Sequence, residues 1–467
     1  MKFINRESEL EFLKETCKLA ESKLFTLSIV GLRRVGKTRL VLEILKKEDL
    51  YFFVNKDKSS ESLLFEYQDL LKKKKILGEL ESVSTWDEFF KVIFMRFKGI
   101  VVFDEFQNFN FVNPSIFGIL QKDLDFYENT SGLMLILLGS VVGLLKKIFF
   151  DQKEPLYGRI KRKLFLPPLS FKDAQGLFHE LRINKAEDKV AFYAVFGGFP
   201  KYYVSVEDEN LSGGTMPEIL ERLFFRSNCI LESEAKEILS LEFGKRSGVY
   251  YDILSAIANR CTSISKVAAF LNKKESAISR QLQELINYFE FVAVEKQVVG
   301  NKSLLLINHP LINFWFVNFY KDLSAYARRE EWLLKKVKEN FNAYVGRRFE
   351  LICREFLYSH KIFEYSRLGR QWGTIPGNSK DKNQYEIDIC AVNEKSKKIL
   401  FAECKWQEKV DGKAILSALK EKAAYVQWNN QTRAEHYVVF AKSFKEKSEG
   451  MYDLKDLGKW FNWEDKD

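Results

Sequence analysis

An α/β fold class is predicted for this chain by three features of its sequence. Up to about residue 165, short apolar runs alternate with segments of helical periodicity, the pattern of a parallel sheet. The runs Leu24–Val30, Tyr51–Val54, Ile100–Asp104 and Leu133–Leu138 are almost unbroken, as expected of strands covered on both faces. The segment Gly31-Leu32-Arg33-Arg34-Val35-Gly36-Lys37-Thr38 joins the first run to a helical pattern through Leu40, Val41, Ile44 and Leu45. Strand, glycine-containing loop and helix in that order form the context of a phosphate-binding loop. Glu9–Ala20 and Leu40–Lys47 are the expected helices around it.

The chain has 467 residues, enough for two to four domains with separate cores. A hydrophobic content of 46% with 30% charged residues describes a soluble globular protein. No apolar stretch reaches the roughly 18 residues of a membrane span, and the amino terminus lacks the apolar core of a signal peptide. The six cysteines are scattered without a CxxC pair, which argues for a reducing cytoplasmic setting and against a disulfide frame or zinc site. The net charge of +10 suits a polyanion such as DNA, although surface lysines kept for solubility account for it equally well.

Residues 170–240 read as mostly helical, broken by Gly197-Gly198-Phe199-Pro200 and Ser212-Gly213-Gly214. Residues 245–308 change character. Helical spacing over Val249–Ile257, a short helix Ile264–Leu271, the turn Asn272-Lys273-Lys274 and a longer helix Ser276–Phe289 precede two strand-like pieces, Phe291–Glu295 and Ser303–Ile307. That is the layout of a winged helix-turn-helix, which serves DNA recognition or protein packing. The aromatic-rich stretch 310–345 reads as a helical connector.

In the loop, the two glycines let backbone N–H groups turn onto phosphates, and the helix start adds its dipole. Gly31, Arg33, Arg34, Val35, Gly36, Lys37, Thr38 and Arg39 form the expected nucleotide contacts. Lys37 would neutralise the β/γ-phosphates and Thr38 would ligate Mg²⁺. Gly99–Glu105 is an apolar strand ending in two acids. Asp104 would hold the metal and Glu105 would orient or deprotonate water. Ser140, after the strand Leu133–Leu138, is a candidate sensor of the γ-phosphate. Arg159, in the basic loop Pro155–Arg159, is a candidate to reach a phosphate in cis or a neighbouring subunit's nucleotide in trans; a solvated loop is the competing reading.

The order of these motifs resembles that of archaeal-type P-loop ATPases, relatives of the AAA+ and STAND groups. Phe3-Ile4-Asn5-Arg6-Glu7 looks like the box that precedes the first strand in this family and helps to hold the adenine. The resemblance implies nucleotide contacts from Asn5 and Arg6, and from Pro200 in a helical lid. It implies ATP and Mg²⁺ as cofactors.

Two strand-like segments lie near the carboxyl end, Gln384–Val392 and Ile399–Lys405, with a polar turn between them. If Val392 pairs with Ile399, Asp388 faces Glu403 and Lys405 shares the face of Glu403, opposite Glu386. Two carboxylates so placed repel unless one is protonated or a cation lies between them. A carboxylate pair with a lysine is an arrangement for Mg²⁺- or Mn²⁺-dependent phosphodiester chemistry. An amphipathic hairpin with these residues on a solvent face is the alternative. The motif resembles the PD-(D/E)xK nuclease superfamily, with Asp388 and Glu403-Cys404-Lys405 as its core. Ile387 stands where the superfamily name has proline. The resemblance implies a metal-binding Glu350 on the helix that Gly346-Arg347-Arg348-Phe349 opens.

These readings predict a P-loop ATPase core (1–166), a helical lid (167–243), a winged helix-turn-helix (244–309), a helical connector (310–345) and a restriction-endonuclease-like α/β domain (346–467). The expected function is ATP-dependent DNA processing. ATP binding or hydrolysis would be coupled to a metal-dependent nuclease in which Asp388, Glu403 and Lys405 act, with Glu350, Asp388 and Glu403 on the metal. The alternative is a nucleotide-controlled DNA-binding regulator, related to mobile elements or defence, whose nuclease-like tail is inactive. Self-association is compatible with either.

Overall fold

The computed structural model of the chain describes residues 1–244, 248–360, 362–375 and 384–463. The chain divides into two compact units, one of residues 2–168 with 287–290, the other of Met1, 169–286 and 291–467.

The first unit is built on five parallel strands: β1 (Phe25–Val30), β2 (Leu50–Phe53), β3 (Gly99–Asp104), β4 (Leu133–Gly139) and β5 (Arg162–Phe165), in the order β2-β3-β4-β1-β5. β1 and β4 are buried along their whole length, which explains their unbroken apolar sequences. The helices Ser60–Lys73 and Trp86–Arg96 start at side-chain caps, Ser59 and a Thr85/Glu88 capping box. An aromatic core packs around Phe52 and Phe103, whose rings stack at 5.2 Å. Two expectations change here. The helix after the loop runs Lys37–Leu42, because left-handed Gly36 starts it early and Lys46 N donates to Asp49 Oδ2 in the turn that follows. β5 escapes the sequence reading because this half-exposed edge strand carries Arg162 and Lys163.

In the second unit, helices cover Gln175 to Phe243 and include Ala186–Phe196 and Pro200–Asp208. Helices Gly248–Ala258, Ile264–Phe270 and Glu275–Asn287 lead into an antiparallel hairpin of β6 (Val292–Lys296) and β7 (Ser303–Ile307). The expected order of three helices and a hairpin is therefore present. The boundary expected at 345–346 is not a break: one helix of 30 residues runs Glu331–His360 through it. Gly346 costs a helix only about 1 kcal/mol, and its bare Cα suits the spot, since a β-carbon would lie 3.2 Å from Trp406 Cβ. A second sheet follows, made of β8 (Arg367–Thr374), β9 (Gln384–Asn393), β10 (Lys398–Lys405), β11 (Ala434–Ala441) and β12 (Met451–Tyr452), in the order β12-β11-β10-β9-β8. β8, β9 and β10 are antiparallel. The helix Gly412–Ala424 then crosses over so that β11 returns parallel to β10. Among the described residues no helix is long and apolar enough to cross a membrane.

Gly198 shows how tightly the helical segment is packed. A β-carbon there would fall 1.8 Å from the Leu169 carbonyl oxygen, which no rotamer can relieve. Gly198→Ala is expected to destabilise the chain by about 3 kcal/mol, read as a lowered urea midpoint; an unchanged midpoint would contradict this packing.

Candidate functional site

At the carboxyl end of the first sheet, Gly31 has no room for a side chain, since a β-carbon would meet the Leu166 carbonyl oxygen at 2.3 Å. Arg34 and Gly36 have left-handed backbones, φ 69° and 95°. That curvature turns successive N–H groups toward a common anion. Val35 is buried and anchors the loop from below. Lys37 is 7% exposed and donates to the carbonyls of Gly31 and Leu32, each at 2.9 Å.

β4 lies between β1 and β3, so the loop, the acids of β3 and Ser140 share one edge of the sheet. Asp104 Oδ2 accepts the Thr38 hydroxyl at 2.7 Å and the Tyr51 hydroxyl at 2.6 Å. Its Oδ1 accepts Glu105 N at 2.8 Å. A threonine hydroxyl and a carboxylate this close fit a Mg²⁺ ion that keeps several of its waters. Burial and the Asp104 charge push the Tyr51 phenol well above its ordinary range, so Tyr51 is a neutral donor.

Glu105 has a left-handed backbone, φ 54°, a conformation costly outside glycine. Its carboxylate accepts Ser140 Oγ at 2.9 Å and Gln107 Nε2 at 2.5 Å, and Arg33 Nη1 lies 3.1 Å away. Loss of water pushes its carboxyl upward; Arg33, Lys37, Gln107 and Ser140 more than reverse that, so it stands below the usual carboxylate range. Tyr51 and Gln107 are the residues the sequence reading missed. A lone tyrosine in a strand and a glutamine after the acids carry no motif.

The other expected contacts are less uniform. Asn5 and Arg6 are both left-handed, and Arg6 reaches Glu9 at 2.7 Å and the Pro167 carbonyl beyond β5. Arg39 turns outward to Glu43. Pro200 opens its helix in the second unit. Arg159 is a correction. Its carbonyl accepts the hydroxyl of Thr26, near the amino end of β1, about 13 Å of strand from the loop. Its guanidinium grips Asp125 through two bonds of 2.9 and 2.8 Å. A phosphate contact in cis is therefore out of reach.

In the tail sheet the expected register holds: Val392 pairs with Ile399, and the ladder runs on to Ile389 opposite Ala402. Asp388 comes next. Its Oδ2 accepts Cys404 N at 2.8 Å, so the carboxylate takes the place of a ladder carbonyl. Glu403 is 5% exposed and is held by two ammonium groups, Lys405 Nζ at 2.9 Å and Lys422 Nζ at 2.9 and 3.2 Å. Lys422, on the helix Gly412–Ala424, has no sequence signal because it is 19 residues away. Glu386, expected opposite Lys405, pairs with Arg370 at 2.8 Å. Buried Glu350 is also bound by Arg370.

Among the described residues no three His, Cys, Asp or Glu side chains gather in metal-binding geometry, so Glu350, Asp388 and Glu403 do not form the expected three-ligand set. Asp388 and Glu403 together fit a hard cation held by two carboxylates and water. Loss of water pushes Asp388 up to about 6, with repulsion from Glu403 adding to it; loss of water likewise pushes Glu350 up to about 7. A cation would relieve this repulsion.

Residues 3–206 match a family described as an ATPase domain predominantly from Archaea, and residues 314–418 match archaeal and bacterial proteins of unknown function. An uncharacterized protein of Methanocaldococcus jannaschii is 28% identical, covering 97% of this chain and 100% of its own. The Walker-type ATPase of Pyrococcus abyssi, 21% identical, superposes with a TM-score of 0.50 over 67% of this chain and 96% of its own. The ORC2 protein of Aeropyrum pernix, solved with ADPNP and ADP, is 13% identical, with a TM-score of 0.47 over 72% of this chain and 96% of its own. Residues 3–206 are thus similar to archaeal-type ATPase domains, on a P-loop α/β fold, and residues 314–418 to a domain of proteins of unknown function.

The raised carboxyls have a consequence for stability. A carboxyl whose pKa is higher folded than unfolded binds more protons when folded, so stability falls as pH rises from about 4 through the folded value. For Asp388 that window ends near pH 6. Asp388→Asn keeps the acceptor for Cys404 N and removes the charge. It is expected to be more stable than the natural chain at pH 8 by on the order of 1–3 kcal/mol, with the gap closing at pH 4. Urea midpoints at the two pH values check this.

Proposed function

We propose that this protein binds and hydrolyses ATP with Mg²⁺ and uses the nucleotide cycle to control an action on DNA. The observation that carries the reading is the edge at β3. There Asp104 meets the Thr38 hydroxyl, and an ionised Glu105 is held by Arg33, Gln107 and Ser140. Lys37 and the loop N–H groups would bind the β- and γ-phosphates, with Arg33, Arg34 and Arg39 nearby and Asn5, Arg6 and Pro200 as candidate contacts to the rest of the nucleotide. Mg²⁺, when bound between Thr38 and Asp104, would neutralise the phosphate charge. Glu105 would orient the attacking water, and Ser140 would respond to the γ-phosphate through Glu105. Arg159 is kept only as a candidate contact to a second copy's nucleotide.

Three helices followed by a hairpin, in a chain of net charge +10, support a winged helix that meets DNA. The tail supports metal-dependent phosphodiester cleavage through the Asp388–Glu403 pair and Lys405, on a helix–three strands–helix–strand order. The rival reading, a nucleotide-controlled DNA-binding regulator with an inactive tail, is favoured by one observation. Arg370, Lys405 and Lys422 already neutralise Glu350 and Glu403.

Lys37→Ala is expected to weaken ATP binding by about 10- to 100-fold, the loss of a charged hydrogen-bond donor. Glu105→Gln is expected to keep ATP affinity and lose turnover by about 10²–10⁴-fold. Equal loss of affinity in both variants would remove Glu105 from the chemistry. A third measurement separates the two readings of the tail: duplex, single-stranded and four-way-junction DNA are incubated with Mg²⁺ or Mn²⁺, with and without ATP. Cutting that disappears in Lys405→Ala is the expected result, and intact ATP binding with no cutting of any substrate selects the regulator.

A further inference from the structure

The turn joining β6 to β7, Gln297 to Lys302, is not a free surface loop. Val298 is 3% exposed and lies in the apolar core of the tail sheet with Tyr385, Ile387 and Cys390. A bulge in β8 between Gly369 and Gln371 admits it. Val298 Cγ2 would lie only 3.3 Å from a β-carbon on Gly369, and Val298 N donates to the Arg370 carbonyl at 3.3 Å. Gln371, 2% exposed, closes the joint. Its Oε1 accepts Val299 N at 2.9 Å and its Nε2 donates to the Val299 carbonyl at 3.0 Å. Gln297 Nε2 donates to the Trp372 carbonyl.

The bulge also turns Arg370 onto Glu350 and Glu386. Two residues before Gln297, Glu295 of β6 pairs with Arg354 of the helix Glu331–His360, with both side chains largely buried. Arg354 Nη2 then donates to the Asp388 carbonyl at 3.2 Å. Asp388 lies just beyond Ile389, the last residue of β9 paired with β10, and opposite the β8 bulge, between the pairs Cys390–Gly369 and Ile387–Gln371. At the bulge, the Asp388 carbonyl therefore accepts an arginine that is itself paired with the hairpin.

We propose that Glu295 is a positioning residue of the tail's carboxylate site. Anchored in the docked hairpin, Glu295 aims Arg354, and Arg354 holds Asp388 opposite Glu403. The inference rests on the reading of Asp388 and Glu403 as cation ligands. It makes the hairpin a structural member of that site. Partners that orient ligating groups in this way are typically worth about 10–100-fold in metal affinity.

The test is Mn²⁺ titration by calorimetry on the full, nucleotide-free chain, comparing the natural sequence with Asp388→Ala, Glu295→Gln and Lys296→Ala. Lys296 is on the same strand with an exposed side chain and serves as the control. Expected are Mn²⁺ binding that Asp388→Ala abolishes, a loss of about 10–100-fold in Glu295→Gln, and no change in Lys296→Ala, each measured on protein whose own urea transition shows it folded. Arg354→Lys keeps a charge beside Glu295 but loses the forked reach to Asp388; it is expected to lose affinity likewise and serves if Glu295→Gln does not fold. Natural affinity in Glu295→Gln, or in Arg354→Lys where that replaces it, overturns the proposal while leaving the cation reading intact. Absence of any Asp388-dependent Mn²⁺ binding overturns both.

Discussion

Carboxylates at the ends of buried strands must find cations or hydrogen-bond donors, and both candidate sites of this protein are organised by that requirement. A desolvated carboxylate without partners is strongly disfavoured. At the edge of the first sheet the partners come from the loop itself: Arg33 and Lys37 act on Glu105, and the hydroxyls of Thr38 and Tyr51 on Asp104. The glycines that free the loop to bind phosphate also let it fold back far enough to supply these partners. Lys37, donating to the carbonyls of Gly31 and Leu32, is held inside the loop that would receive phosphate.

The tail meets the same requirement differently. Glu105 ends below the ordinary carboxylate range, whereas Asp388 and Glu350 end above it. The contrast follows from where the cations point. Lys405 and Lys422 both converge on Glu403, so Asp388 keeps one backbone N–H and feels the Glu403 charge. Arg370 is shared between Glu350 and exposed Glu386. Glu105 thus has its charge balanced by the loop, whereas Asp388 keeps a single N–H partner beside Glu403. That contrast is the physical content of the cation reading.

Much of this was legible in the sequence because it is local. The loop between β1 and its helix, the acids ending β3 and the β9–β10 register are each set within one or two neighbouring elements. Val392 pairs with Ile399 because the short turn 394–397 fixes where the two strands meet. Tyr51, Gln107, Arg370 and Lys422 were not legible, since each reaches its carboxylate through tertiary packing. β5 was hidden by its edge position, where cations sit over Phe12 and Phe150 in place of an apolar run. A glycine followed by two arginines looks like a helix start within Glu331–His360; the packing of Gly346 against Trp406 decides otherwise. The role expected of Arg159 in cis failed for a topological reason: the residue precedes its strand and therefore lies at the wrong end of a parallel sheet.

Whether the hairpin stays in the tail can be argued from energies. Undocking it would expose Val298, break both Gln371 bonds to Val299 and separate Glu295 from Arg354. An unsatisfied buried polar group costs about 1–3 kcal/mol, and breaking a buried ion pair costs about 3–5 kcal/mol when a charge is left unpaired. Typical coupling between a ligand site and a distant element is about 1–3 kcal/mol. A nucleotide-driven change of that size is too small to release the hairpin, so the hairpin, the helix Glu331–His360 and the tail sheet respond as one body. In the preceding segment the helix Glu275–Asn287 is amphipathic, with Ser276, Arg280 and Gln283 outward and Ile278, Leu282 and Leu285 inward.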